Sequence, residues 1–335
     1  MKKDLKIFIG ISFIIPYIMG FAIYYCKLHD ISTNIYPIFQ MFMPFIGVMA
    51  LLYYEDKSIL KNSVFKVYII TSFLLFALAV INIFNSNFHE FSDFIILLSA
   101  IPMMIAISTM DKDLKEKLSL GNPNKKLTLF MCLFFIIIYL LKAFVACILA
   151  GEINDFFKSL NLHSLKVFIS IIIFSFLNIM PFIGEEYGWR AYLAPRLKEI
   201  YGVKNAIILT GFIWGIWHLP LNLFYYSDGL LTSQIYSILV QLVFCIFLGI
   251  FLSYAYNRTK SIWAPVMIHY LNNNLALLFV TDFSKDIFSG QHYDLKGTLF
   301  SIVSSIMLFG IFMFSKYIKD ENLWEKSVYE KIREL

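Results

Sequence analysis

The chain has 335 residues, of which 59% are hydrophobic and only 15% are Asp, Glu, Lys or Arg, with a mean hydropathy of +0.71. That composition excludes an ordinary soluble domain, and apolar runs of about twenty residues, the length that crosses a bilayer as helix, recur throughout. The formal net charge of +5 does not call for a nucleic-acid partner, because the basic residues fall in loops suited to lie over an anionic leaflet.

These features predict an all-α polytopic transmembrane helical bundle of about eight to ten spans. In chain order the candidate windows are 5–25, 34–54, 64–84, 93–109, 127–150, 165–184, 204–220, 233–256, 261–281 and 297–316. The first window continues at spanning length without a small-residue cleavage motif, so a cleavable leader is not expected. Orientation follows from the basic residues. Lys2, Lys3 and Lys6, then Lys57, Lys61 and Lys66, then Lys112, Lys115, Lys117, Lys125 and Lys126 flank alternate span ends. Arg190, Arg196, Lys198, Lys204, Arg258, Lys260, Lys316, Lys319, Lys326, Lys331 and Arg333 continue the series, so these segments hold 22 of the 28 Lys and Arg residues. By the positive-inside rule both termini are expected in the cytoplasm.

Three regions are expected: scaffold helices over 1–163, a core over 164–281 that would carry chemistry, and a last span with a cytoplasmic tail over 282–335. The first half carries little that looks chemical. The cysteines Cys26, Cys132, Cys147 and Cys245 lie in or at the ends of apolar runs without C-x-x-C spacing, and read as small core hydrophobes.

The core is different. Gly184-Glu185-Glu186-Tyr187-Gly188-Trp189-Arg190 follows about twenty almost uncharged residues, and ionisable groups beside a span are costly enough to mark a functional site. In a helix Glu186 and Arg190 stand one turn apart and can pair, whereas Glu185 is turned about 100° away. Pro181 is expected to break the helix just before Gly184, so that the glutamates open a new first turn where the dipole favours them. From Glu185 to Lys198 the pattern reads as amphipathic up to the turn at Tyr201-Gly202.

Glu186 precedes Gly202 by as many residues as His218 follows it. An antiparallel hairpin would therefore hold the two at equal depth. Gly184/Gly188 and Gly211/Gly215 give each arm a Gly-x-x-x-Gly, which predicts close approach of the arms, with His218 on the same face as the second pair. A third element carries His269 and Asn273 four residues apart, roughly 13 Å of helix from the Arg258/Lys260 loop. A buried carboxylate accepts a proton more readily than a solvated one, which suits Glu185 to act as general base on water, with His218 sharing the proton work. His269 and Asn273 could donate to an oxyanion. No Ser or Cys nucleophile lies in these stretches, which favours activated water over an acyl-enzyme.

The ordered motifs Glu185-Glu186-x-x-x-Arg190, Trp214-x-x-x-His218 (with Phe212 just before it) and His269-x-x-x-Asn273 resemble those of the CPBP intramembrane proteases. That family includes CaaX prenyl endopeptidases of the Rce type and bacteriocin-immunity (Abi) proteins. The resemblance covers about residues 165–280. It implies that Glu185 and His218 activate water, that His269 and Asn273 form the oxyanion hole, and that Glu186 and Arg190 support them. The expected partners are the bilayer and a peptide or membrane-protein substrate, either CaaX-type or bacteriocin-like. Glu185, His218 and His269 could also supply three ligands to a Zn2+ ion with water in the fourth position. The sequence has no His-Glu-x-x-His, and the resemblance favours a metal-free glutamate mechanism, so the metal stays open. A non-proteolytic immunity protein or a transporter is the rival reading, although the chain lacks the internal repeat expected of many transporters.

Overall fold

The computed structural model describes residues 3–85, 91–280 and 287–334. Lys2, Leu335 and the last residue of the window 261–281 lie outside them. The chain opens with α1 (Lys3–Leu28), α2 (Ile35–Gln40), α3 (Met43–Glu55), α4 (Ser63–Phe84) and α5 (Phe91–Thr109). Next come α6 (Lys112–Lys117), α7 (Lys125–Ala150), α8 (Ile153–Ser159), α9 (Leu162–Phe174) and α10 (Met180–Glu186). A π-helical turn, Tyr187–Leu193, leads into α11 (Ala194–Tyr201), α12 (Val203–Trp217), α13 (Leu219–Leu221) and α14 (Leu231–Thr259). The chain closes with α15 (Trp263–Asn274), α16 (Leu295–Phe309), α17 (Lys316–Lys319) and α18 (Val328–Arg333). The fold is an all-α polytopic bundle, and its β pairing among the described residues is one isolated bridge, Ser227 with Gln291.

Eight segments among the described residues are long and apolar enough to cross a membrane, and the pair α8 and α9, bent by 64°, would make a ninth. The windows 165–184 and 261–281 are the two without a counterpart among those eight segments. The first is cut between Phe174 and Met180, and the second shortens to α15 followed by a 3-10 turn, Leu275–Phe279. The first leads directly into Glu185 and the second carries His269 and Asn273, and polar residues sit at both breaks: Ser175 and Asn178 in one, Asn272 to Asn274 at the end of α15 in the other. Irregular backbone at membrane depth persists only where protein or a cavity surrounds it.

Side-chain exposure divides as a bilayer would require. Ile14, Phe21, Phe73, Ile137 and Ile173 are exposed on the outer helices, whereas Phe8, Phe45, Tyr68, Trp189, Trp214 and Phe251 are buried. Every residue from Ile179 to Leu197 is buried. The amphipathic pattern expected from Glu185 onward is therefore confined to the end of α11, because α1, α3, α12 and α14 enclose the rest.

The two ends of the chain meet. Arg196 of α11 binds Asp4 of α1 at 2.6 Å and Glu330 of α18 at 2.8 Å, so both terminal segments lie at one end of the bundle. At the other end of α1, Lys27 Nζ donates to the carbonyl of Ser227 at 3.2 Å. The C-terminal tail is a folded cap: Ile318, Trp324, Val328 and Ile332 are buried, and Glu325 bridges Lys260 (3.1 Å) and Lys331 (2.7 Å).

Candidate active site

Pro181 begins α10 rather than breaking it. It occupies the first helical positions, where a missing N–H costs nothing and its fixed φ suits the helix. The expected restart at Gly184 is thereby corrected, since Glu185 and Glu186 close α10 and the helix start is a full turn upstream. Immediately after them the backbone widens into the π-helical turn, a distortion common at functional sites.

Glu186 is anchored twice. Its Oε2 lies 3.2 Å from Arg190 Nε and its Oε1 lies 2.8 Å from His269 Nδ1, with both acidic and guanidinium side chains fully buried. The local pair matches the i,i+4 expectation. The contact with His269, from α15, is one that sequence spacing did not indicate. A carboxylate only accepts, so the Nδ1 of His269 carries the hydrogen it donates.

Glu185 has a different neighbour. Trp214 of α12 donates its indole N–H to Glu185 Oε2 at 2.6 Å. Trp189 turns a second indole toward the same carboxylate without hydrogen-bond geometry. The main-chain carbonyl of Trp214 lies 2.8 Å from His218 Nδ1. Since that carbonyl can only accept, Nδ1 carries the proton and the neutral ring keeps its lone pair on Nε2. Glu185 and His218 are thus joined through one residue, Trp214, which itself spans the two arms of the hairpin.

The glycine pairs serve other contacts than expected. A methyl group at Gly184 would collide with Tyr68 and the carbonyl of Met41, and one at Gly188 with Pro44. One at Gly211 would meet Ile246, and one at Gly215 would meet Leu242. Each pair therefore seats its arm on a third helix, α3 with its lead-in or α14. The face that His218 shares with Gly211 and Gly215 accordingly points to α14, where Cys245 Sγ lies 3.8 Å from His218 Nδ1.

Asn273 stands one turn beyond His269 on α15. It accepts from the side chain of Asn272 at 3.0 Å, and no hydrogen bond among the described residues joins it to Glu185, Glu186, Arg190 or His218. A groove of about 430 Å³ runs between α9 and α15, lined by Lys166, Ile171, Asn178, Tyr270 and Asn274 among others. Phe182 is edge-on to both Tyr270 (5.3 Å) and His269 (5.2 Å), so its ring adjoins both the groove wall and the site. As to metal, no group of three or more His, Cys, Asp or Glu side chains among the described residues could hold an ion. Glu185, His218 and His269 are accordingly not gathered into a ligand shell; the Nδ1 atoms of both imidazoles are engaged by oxygen partners and the indole of Trp214 binds Glu185 Oε2.

Trp214, placed in a motif without a role of its own, and Cys245, read as a small core hydrophobe, are the residues whose contacts at the site sequence reading did not give. The signal for Trp214 was available: an indole donor one helical turn before His218. Cys245 offered none, since its partner is set by the packing of α14 on α12.

Comparison with known proteins gives two matches. Residues 166–275 match the Rce1-like family, described as type II CAAX prenyl endopeptidase Rce1-like. Over 183 residues the chain is 28% identical to the CAAX prenyl protease 2 of Methanococcus maripaludis. That alignment takes in 53% of this chain and 63% of the relative, so the match covers less than two thirds of the relative's length. No solved structure matches the chain.

Proposed function

We propose, from the match of residues 166–275 to the Rce1-like family, that the chain is a membrane-embedded endopeptidase in which Glu185 and His218 activate water. The observation that carries this reading is the division of labour between adjacent glutamates. Glu186 is held by Arg190 and His269, while Glu185 accepts one indole hydrogen bond and keeps an oxygen for a proton. His218 Nε2, with its lone pair, takes part in the same transfer. Water attacks the scissile carbonyl, and the proton passes to the leaving amine through this pair.

His269 and Asn273 receive the oxyanion. For His269 to donate from Nε2 while Nδ1–H is bound to Glu186, the ring must be the imidazolium. The charges then balance, two carboxylates against one guanidinium and one imidazolium. In this reading the water is activated by Glu185 and His218 rather than by a zinc ion on Glu185, His218 and His269. Both termini are assigned to the cytoplasm on the strength of the lysine asymmetry.

The substrate class follows the relative's printed name: a prenylated CaaX-type peptide, with a bacteriocin-like peptide as the second candidate. The test is cleavage of a farnesylated CaaX peptide by purified protein in nanodiscs. Release of the C-terminal tripeptide, unaffected by chelators and abolished by His218→Ala, is the expected result. If neither farnesylated nor unmodified peptides are cut while Glu185→Ala preserves the biological phenotype, the non-proteolytic immunity or transport reading takes over.

A further inference from the structure

We propose that Trp214 is the positioning residue of the site: its indole N–H fixes Glu185 by Oε2 and leaves Oε1 as the oxygen that takes the proton. The kinetic part of this inference rests on the endopeptidase reading; the contact itself does not.

Four groups converge on this one residue. The indole edge donates to Glu185 at 2.6 Å. The indole face carries the Arg190 guanidinium at 4.5 Å. His269 stands edge-on at 5.4 Å, and the main-chain carbonyl holds His218 Nδ1 at 2.8 Å. A tryptophan that merely filled the core would be replaceable by any ring of similar size. Here the N–H is spent on a buried carboxylate, and a hydrogen bond to a charged group is among the stronger ones a side chain makes. A phenylalanine at this position would keep a face for Arg190 while offering Glu185 no donor. Without the donor the two carboxylate oxygens become equivalent and the carboxyl group is free to rotate. The indole thus selects one oxygen, and the same residue's carbonyl selects the histidine tautomer.

The separation of edge from face makes the inference testable. The chain contains five tryptophans, so protein labelled with 15N at the indole nitrogen should give five indole N–H signals in nanodiscs. One of them should lie well downfield, disappear in Trp214→Phe and move upfield in Glu185→Gln, because an amide oxygen is the weaker acceptor. Should Trp214→Phe fail to assemble, Glu185→Gln alone reads the contact as the movement of a single downfield signal. On a farnesylated CaaX peptide, Trp214→Phe should lower kcat by about ten- to a hundredfold, the worth of one charge-assisted hydrogen bond, with KM within about twofold as for a contact that acts on the chemical step. In a Glu185→Gln background it should cost nothing further. Five signals that ignore Glu185→Gln, or a Trp214→Phe enzyme with wild-type kcat, would overturn the proposal. If the wild type cleaves no peptide, the endopeptidase reading falls and the indole signal alone decides whether Trp214 holds Glu185.

Discussion

Arg190 and Arg196 lie six positions apart in one buried run, and the chain treats them in opposite ways. Arg196 is engaged by three carboxylates: Nε binds Asp4, and Nη1 binds both Glu330 and Glu199. Arg190 has one ionic contact, to Glu186, and its Nη1 and Nη2 have no hydrogen-bond partner among the described residues. Its remaining support is the face of Trp214. Saturated polar networks fix a structure, whereas buried polar groups left short of partners need a separate explanation. The difference separates a cluster that ties α1, α11 and α18 together from one that stores charge beside two histidines. A membrane-embedded cation kept short of acceptors is costly, and function is the usual reason it is retained.

The largest expected effect tests the charge-storing cluster. Glu185→Gln keeps the volume and the bond from Trp214 but removes the proton acceptor, so turnover should fall by roughly 10²-fold or more with unfolding unchanged. Glu186→Gln should do the reverse to stability. It leaves Arg190 and His269 without their shared counter-charge, a loss of about 3 kcal/mol for a broken buried pair, read as a lower unfolding midpoint in detergent. Equal behaviour of the two variants would erase the distinction between base and buttress.

That distinction was partly legible in the sequence because it is local. Glu186 and Arg190 are one turn apart, and helical phase alone puts Glu185 elsewhere. The bundle was legible for a similar reason, since eight spans announce themselves as apolar runs of bilayer length. The features that were missed depend on what packs against what. The hidden partner of Glu186 is His269, 83 positions away. Pro181 looked like a breaker because a sequence does not show that the preceding helix has already ended near Ser175. The glycine pairs were read correctly as close-approach surfaces, but their partners, α14 and the α2–α3 junction, are set by tertiary arrangement. The folded tail was invisible, because Arg196 and Glu330 are separated by 134 positions.

The saturated cluster should respond in stability and leave chemistry alone. Arg196→Met strips Asp4, Glu199 and Glu330 of their common partner at a site buried yet near the bundle's end. A loss of about 2 kcal/mol is expected, below that of a fully interior pair, with kcat on the peptide substrate within about twofold for a residue outside the chemistry. A variant that folds normally but does not turn over would show that the tail cluster also aligns the site, and the contrast between the two arginines would lose its meaning.

The smallest effect, and the most specific, is in the pH dependence of the tail. Burial, with the neighbouring Glu330 carboxyl sharing a proton, pushes Glu199 up to about 7 against the opposing charge of Arg196. A carboxyl raised in the folded state binds a proton that the unfolded chain, titrating near 4.5, has already lost. Its stabilisation is complete below that value and disappears as pH rises toward 7. Glu325 runs the other way. Burial alone would raise it, but Lys331 and Lys260 hold it below its ordinary 4.5, so its contribution is present above that pH and is lost on acidification through the folded value. Thermal midpoints measured in detergent across this range should therefore decline from pH 4.5 to 7 on account of Glu199 and fall again below 4.5 on account of Glu325. Glu199→Gln should flatten the upper slope and leave the lower one, while Glu325→Gln should soften the lower one alone. If both variants keep the wild-type profile, the tail is not docked through these carboxylates.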